Sequence, residues 1–166
     1  MVQNYDVRVL ILGSSSIDAD TYAYIAENIN TDKIGNFNDF ITTPANNPNA
    51  TKKFINQVKN DPDADEKIYK RALNCIDQAE YIIVDLSAAS TGMGLEVGYL
   101  LSKYSNSKYI TFIAKEGSKI SLHIKGMYKH ITGRDLEVTL YNTKEDIVEV
   151  IKHSDGYQKY YCDLVY

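Results

Sequence analysis

Within Ser90–Tyr99, STGMGLEVGY, one carboxylate stands among three glycines: Gly92, Gly94, Glu96 and Gly98. The stretch follows an apolar run, YIIVDLSAA. Glycines after a strand can let backbone N–H groups approach a phosphate closely. Here, however, the spacing is G-x-G-x-x-x-G, the preceding strand is not the first, and a pyrophosphate would face Glu96. Two like charges about 4 Å apart near a protein surface repel by about 4 kcal/mol. The dinucleotide fingerprint therefore fails. A P-loop fails as well, because no Gly-Lys-Ser or Gly-Lys-Thr occurs.

The carboxylate has a different logic. A helix over Gly94–Lys103 puts Glu96 in its first turn, where free N–H groups and the helix dipole favour the ionised form. Presented by glycines at the mouth of a cleft, such a carboxylate suits a nucleophile that attacks an electrophilic sugar carbon. The plainer reading is a surface glutamate that complements the dipole. The residues alone leave both open.

The elements that would position this group follow from the apolar patterning. Val7–Leu12 (VRVLIL) reads as a strand ending at Gly13, and Thr21–Ile29 has helical spacing. Residues 30–63 hold all three prolines, with a short strand near Phe37–Ile41 and a helix near Thr51–Val58; their length makes them a candidate ligand-covering segment. Ala64–Ala79 reads as a helix with Ile68, Ala72, Cys75, Ile76 and Ala79 on one face. Tyr81–Leu86 is a strand buried on both faces, ending near Asp85. Strands at Lys108–Ala114 and Leu136–Tyr141 and a helix at Lys144–His153 follow. The alternation predicts an α/β fold: a single three-layer domain over residues 1–166 with a mainly parallel, flavodoxin-like sheet. Ligands of such sheets lie at the carboxyl ends of strands, near a topological switch point, and Gly13, Asp85 and the 90–96 turn all fall on that edge.

Bulk properties set limits. A chain of 166 residues with 44% apolar and 24% charged content can bury its own core. A net charge of -4 gives no basic field for nucleic acid. Two cysteines without CxxC spacing, and no leader or membrane-length apolar run, point to a reduced cytoplasmic protein that neither spans nor binds a membrane. No histidine pair has metal-ligand spacing, so neither metal nor cofactor is expected. The 14 tyrosines, with no tryptophan, suit subunit interfaces or stacking on ligand rings, or reflect compositional bias.

The block YKRALNCIDQAEYIIVDLSAASTGMGLEVGYLLSK resembles the nucleoside 2-deoxyribosyltransferase superfamily, which includes the 2'-deoxynucleoside 5'-phosphate N-hydrolases. The shared pattern is a helix, an apolar strand ending near an acid, and then S/D-x-G-x-G-x-E-x-G. A weaker match runs through KISLHIKG (Lys119–Gly126), similar to a family segment that reaches a neighbouring subunit's site, and the closing DLVY is similar to the transferase end.

By that resemblance Glu96 is the nucleophile, and Gly92 and Gly94 hold the turn open to the sugar. Ser90, Ser121 and the Gly13–Ser14 loop contact the 5' end. His123 meets base or phosphate, and the carboxylate of Tyr166 lies by the site. The implied reaction cleaves the N-glycosidic bond of a 2'-deoxyribonucleoside and transfers deoxyribose to a free nucleobase. Hydrolysis of a deoxynucleoside 5'-monophosphate is the alternative favoured by Ser90 and Ser121. A homo-oligomer, dimer or larger, is implied too.

The chain also departs from the pattern. An aspartate that handles the proton at the base is replaced by Ala72, and the first-strand tyrosine by Leu10 or Ile11. Asp85 is the nearest stand-in acid, although a strand-end aspartate also orders a turn through backbone N–H groups; Asp77 reads as solvated. Ala72 keeps a catalytically silent nucleotide-binding module among the alternatives. A receiver domain matches Asp85 and Lys115 but lacks the acidic pair after the first strand, where the chain reads GSSS.

Overall fold

The run YIIVD has no polar residue before Asp85, and a strand with no polar face must be covered on both sides. A computed structural model of the chain, which describes residues 9–13, 19–29, 54–88 and 90–165, places that strand inside a parallel sheet. β1 (Val9–Leu12), β2 (Tyr81–Asp85), β3 (Tyr109–Lys115) and β4 (Thr139–Tyr141) pair in the order β1-β2-β3-β4, each neighbour parallel. Every residue of β1 and β2 is buried.

Helices α1 (Ala19–Ile29), α2 (Ala64–Gln78), α3 (Thr91–Tyr104), α4 (Leu122–Thr132), α5 (Lys144–Lys152) and α6 (Asp155–Val165) complete the three layers. One core joins Leu10, Leu12, Ile82 and Val84 to Cys75 and Ile76 of α2, Met93, Val97 and Leu100 of α3, and Ile124 of α4. The other joins Val9, Ile11, Tyr81 and Ile83 to Ile25 of α1, Ile147 and Ile151 of α5, and Tyr157 and Tyr160 of α6. Alternate strand residues thus feed opposite layers, as the two-residue period of a strand requires.

Most expected elements appear, with end residues shifted by one to three. The expected strand at Phe37–Ile41 lies outside the described residues; of the expected helix near Thr51–Val58, residues 54–58 are helical. Two helices carry no sequence expectation. In α4, Ile124, Met127, Tyr128 and Ile131 recur at helical spacing and face the first core. In α6, tyrosines do the same for the second: Tyr160 stacks on Tyr81 with ring centroids 5.3 Å apart and tilts against Tyr109 at 5.8 Å. Tyr81, Tyr109, Tyr157, Tyr160 and Tyr161 are therefore core and edge packing.

The helices are closed by local chemistry. Thr143 and Asp146 form a reciprocal capping box on α5, and Gly133 ends α4 in the left-handed region at φ 71°. At the end of α2, Lys108 Nζ donates to the carbonyls of Asp77 (2.7 Å) and Ala79 (2.5 Å), satisfying acceptors the helix leaves open. Among the described residues no helix is long and apolar enough to cross a membrane.

Candidate functional site

β1 and β2 lie side by side, yet α1 and α3 pack on opposite faces of the sheet. Helices on opposite faces after adjacent strands mark the place where α/β sheets build ligand crevices, here the carboxyl edge between β1 and β2. The register Leu12↔Val84 brings Gly13 level with Asp85 at that point. Ser90, Gly92, Gly94 and Glu96 follow on α3, which starts from the same edge. Among the described residues the strand order does not reverse, so the change of helix side marks the crevice.

The turn differs from expectation. Its helix begins at Thr91, three residues early, with Ser90 as the cap: Ser90 Oγ accepts from the Met93 N–H at 3.2 Å. Gly92 and Gly94 are thus helical, and Glu96 sits in the second turn, about 9 Å along the axis from the cap. It is past the reach of the dipole, so the expected stabilisation of its charge by the first turn does not apply. A glycine inside a helix costs up to about 1 kcal/mol against alanine. At Gly98 a Cβ would make only an ordinary contact, 3.5 Å from Met127 Sδ of α4, and at Gly92 or Gly94 it would meet nothing within 4 Å. What those two positions keep clear is the space outside the helix.

Glu96 borders that space. It is half-buried, and among the described residues it has neither a hydrogen bond nor an ion pair. Burial alone pushes its carboxyl up to about 7. Behind it lies Cys75 of α2, whose thiol is raised by burial, drawn down by Arg71 and raised again by the charge of Glu96. Arg71 holds its guanidinium 4.5 Å from the Phe54 ring centroid. Sequence reasoning missed Arg71 and Phe54; the signal was Arg71's place beside Ala72, at the position where an acid was expected. Ala72 itself is half-buried on α2.

Asp85 does not reach the opening. It is fully buried, and its carboxylate accepts from the Ser87 N–H at 2.9 Å, the Ser87 hydroxyl at 2.5 Å and the Tyr141 hydroxyl at 2.9 Å. Burial raises its pKa and these donors pull it back. As a stand-in acid it is poorly placed; as the residue that orders the turn after β2 it is fully engaged. The same enclosure keeps both oxygens from a phosphoryl donor, which weighs against a receiver.

Ser121 and His123 stand at the start of α4, which packs beside α3 and also begins at the carboxyl edge. Ser121 caps α4 by position, without a side-chain hydrogen bond, and His123 is exposed. Ser14 and Tyr166 lie outside the described residues. Asp163, shortly before Tyr166, bonds to the Tyr109 hydroxyl at the opposite, amino edge of the sheet. Asp77, expected to be solvated, is half-buried at that same edge and accepts from Tyr99, Tyr104 and Lys103 at 2.7, 2.6 and 3.1 Å. Among the described residues no cluster of three or more histidine, cysteine or acidic side chains could hold a metal.

No protein-family model matches the chain, and no curated protein shows significant similarity to it.

Proposed function

We propose that the chain cleaves the N-glycosidic bond of 2'-deoxyribonucleosides through a covalent ester on Glu96 and passes the deoxyribosyl group to a second nucleobase. The carrying observation is the half-buried carboxylate of Glu96, without a partner among the described residues, beside positions where a Cβ at Gly92 or Gly94 would meet nothing. Structural carboxylates that leave water are normally paired or hydrogen-bonded, and an unpaired one next to a crevice is a site candidate. In the reaction, a Glu96 oxygen attacks C1' and the C1'–N bond breaks, its electron pair leaving with the base. The departing base takes a proton from solvent. A nitrogen of the incoming base then attacks C1', Glu96 leaves as carboxylate, and the nitrogen proton returns to solvent. Two displacements give net retention. Ala72 offers no proton, while Arg71 supplies fixed positive charge on that flank, suited to a base that leaves with negative charge.

A second reading, hydrolysis of a deoxynucleoside 5'-monophosphate, is favoured by one observation. The Ser121 hydroxyl makes no capping bond, and the α3 and α4 N-termini both open at the crevice edge, an arrangement suited to phosphate. Incubation of the protein with a deoxynucleoside or its 5'-monophosphate, with and without a second free base, separates the outcomes by chromatography. A new deoxynucleoside marks transfer and free deoxyribose phosphate marks hydrolysis. Unchanged substrates in every mixture would reject both.

A further inference from the structure

Three strand ends meet at the carboxyl edge through side chains the reaction itself does not use. β2 ends in Asp85, and the next polar residue, Ser87, folds back on it with both its N–H and its hydroxyl. β3 ends in Lys115, whose N–H donates to the Ser87 hydroxyl oxygen at 2.7 Å. β4 ends in Tyr141, whose hydroxyl donates to the other Asp85 oxygen and lies 3.0 Å from Ser87 Oγ. Backbone bonds run alongside, from Leu86 N–H to the Ile113 carbonyl and from Glu116 N–H to the Tyr141 carbonyl.

We propose that Asp85, Ser87 and Tyr141 form a latch that fixes the exit of β2 and so sets where α3 begins and where Glu96 stands; Tyr141 is then a positioning residue. This rests on the reading of Glu96 as the nucleophile. The physical case is one of cost. Asp85 has no exposure, so each donor it loses leaves a buried acceptor unsatisfied. Only two residues separate Ser87 from the Ser90 cap of α3, so a shift at Ser87 is carried into the helix. At the mouth of α3 only Met93 reaches the core, and a Cβ at Gly92 or Gly94 would meet nothing within 4 Å, so few other contacts fix where the helix starts. A displacement of about 1 Å at a nucleophile can lower turnover by about 100-fold without loss of substrate affinity.

The test is Tyr141→Phe, read by amide hydrogen exchange and by kinetics. Faster exchange by 10-fold or more at Ser87, Met93 and Lys115, with Leu10 and Ile11 of β1 unchanged, supports the latch. Unchanged exchange at those three amides overturns it, and so does a uniform loss across the sheet, which marks a merely structural role. The kinetic expectation is kcat lower by about 10- to 100-fold with KM within about twofold. A raised KM at unchanged kcat overturns the link to Glu96. If Tyr141→Phe does not fold, Ser87→Ala takes its place, with Ser87→Thr expected to restore both exchange and kcat; failure of that rescue counts against the latch. If the wild type turns over no deoxynucleoside, the reading of Glu96 fails and the link to it fails too, while exchange still decides whether the latch fixes the β2 exit.

Discussion

The two edges of the sheet treat a half-buried carboxylate in opposite ways. At the amino edge, Asp77 receives two tyrosine hydroxyls and the Lys103 ammonium; burial works against its charge, but these donors win and its pKa is lowered. At the carboxyl edge, Glu96 receives nothing from the described residues and burial pushes it up to about 7. The amino edge is also braced, around a cavity of about 560 Å³ lined by Asp77, Tyr104, Lys108, Tyr109 and Asp163. Lys108 closes the end of α2, Tyr160 stacks on Tyr81, and Gly156 lets α6 sit directly on β3. The difference separates a group that holds the fold together from one held available by it. Partial burial alone does not distinguish them; the partners do.

That contrast can be broken or sharpened by four substitutions. The largest effect belongs to Glu96→Ala, expected to lower transfer or hydrolysis by at least about 1,000-fold and to remove the glycosyl adduct from the intact-protein mass spectrum. Retention of full activity would end the proposed mechanism. Next is Gly156→Ala. An added Cβ would collide with Thr111 Oγ1 and stand 2.9 Å from the Ile110 carbonyl oxygen, so urea unfolding should show a loss of about 3 kcal/mol.

Glu96→Gln tests the electrostatics in stability rather than activity. Folded Glu96 titrates at about 7 against 4.5 for the ordinary side chain, so the native state holds that proton more tightly. The stability this lends is fully present below pH 4.5 and is lost as the pH rises through 7. Glutamine has no charge to desolvate. The variant should therefore match wild type near pH 4 and exceed it at pH 8 by about 2 kcal/mol, allowing for partial solvent exposure. Wild-type activity should rise over the same range, as the nucleophile loses its proton; equal stability at both pH values would disprove the unpaired carboxylate. The smallest effect is at Gly92, where a methyl group meets open space: Gly92→Ala should stabilise the protein by about 0.5–1 kcal/mol in thermal unfolding while lowering activity.

Why one edge was easier to read than the other follows from range. The apolar run of β2 and the single carboxylate among glycines are local features, and the sheet edge that collects Gly13, Asp85 and Ser90 follows from alternation of strands and helices. The start of α3 was misread because glycines signal turns by propensity, while the cap that overrides them depends on a hydrogen bond from the Met93 N–H to the Ser90 hydroxyl. Asp77 looked solvated because its partners Tyr99, Lys103 and Tyr104 come from another helix. The burial of Glu96, which decides its chemistry, likewise depends on how neighbouring elements pack around α3. The periodicity of α4 and α6 was present in Ile124-Met127-Ile131 and Tyr157-Tyr160, but short helices rich in tyrosine or histidine have little intrinsic preference to announce them.

Gly98 adds a dimension to this picture. A Cβ added there would lie 3.5 Å from Met127 Sδ of α4, and the two helices open their N-termini, at Ser90 and Ser121, on the same side. The residue thus works as a gauge block between the two helix mouths. A methyl group fits the contact, whereas any longer side chain would act as a wedge. Its effect would be felt at Ser90 and Ser121 as a change in the length of molecule that can bridge them.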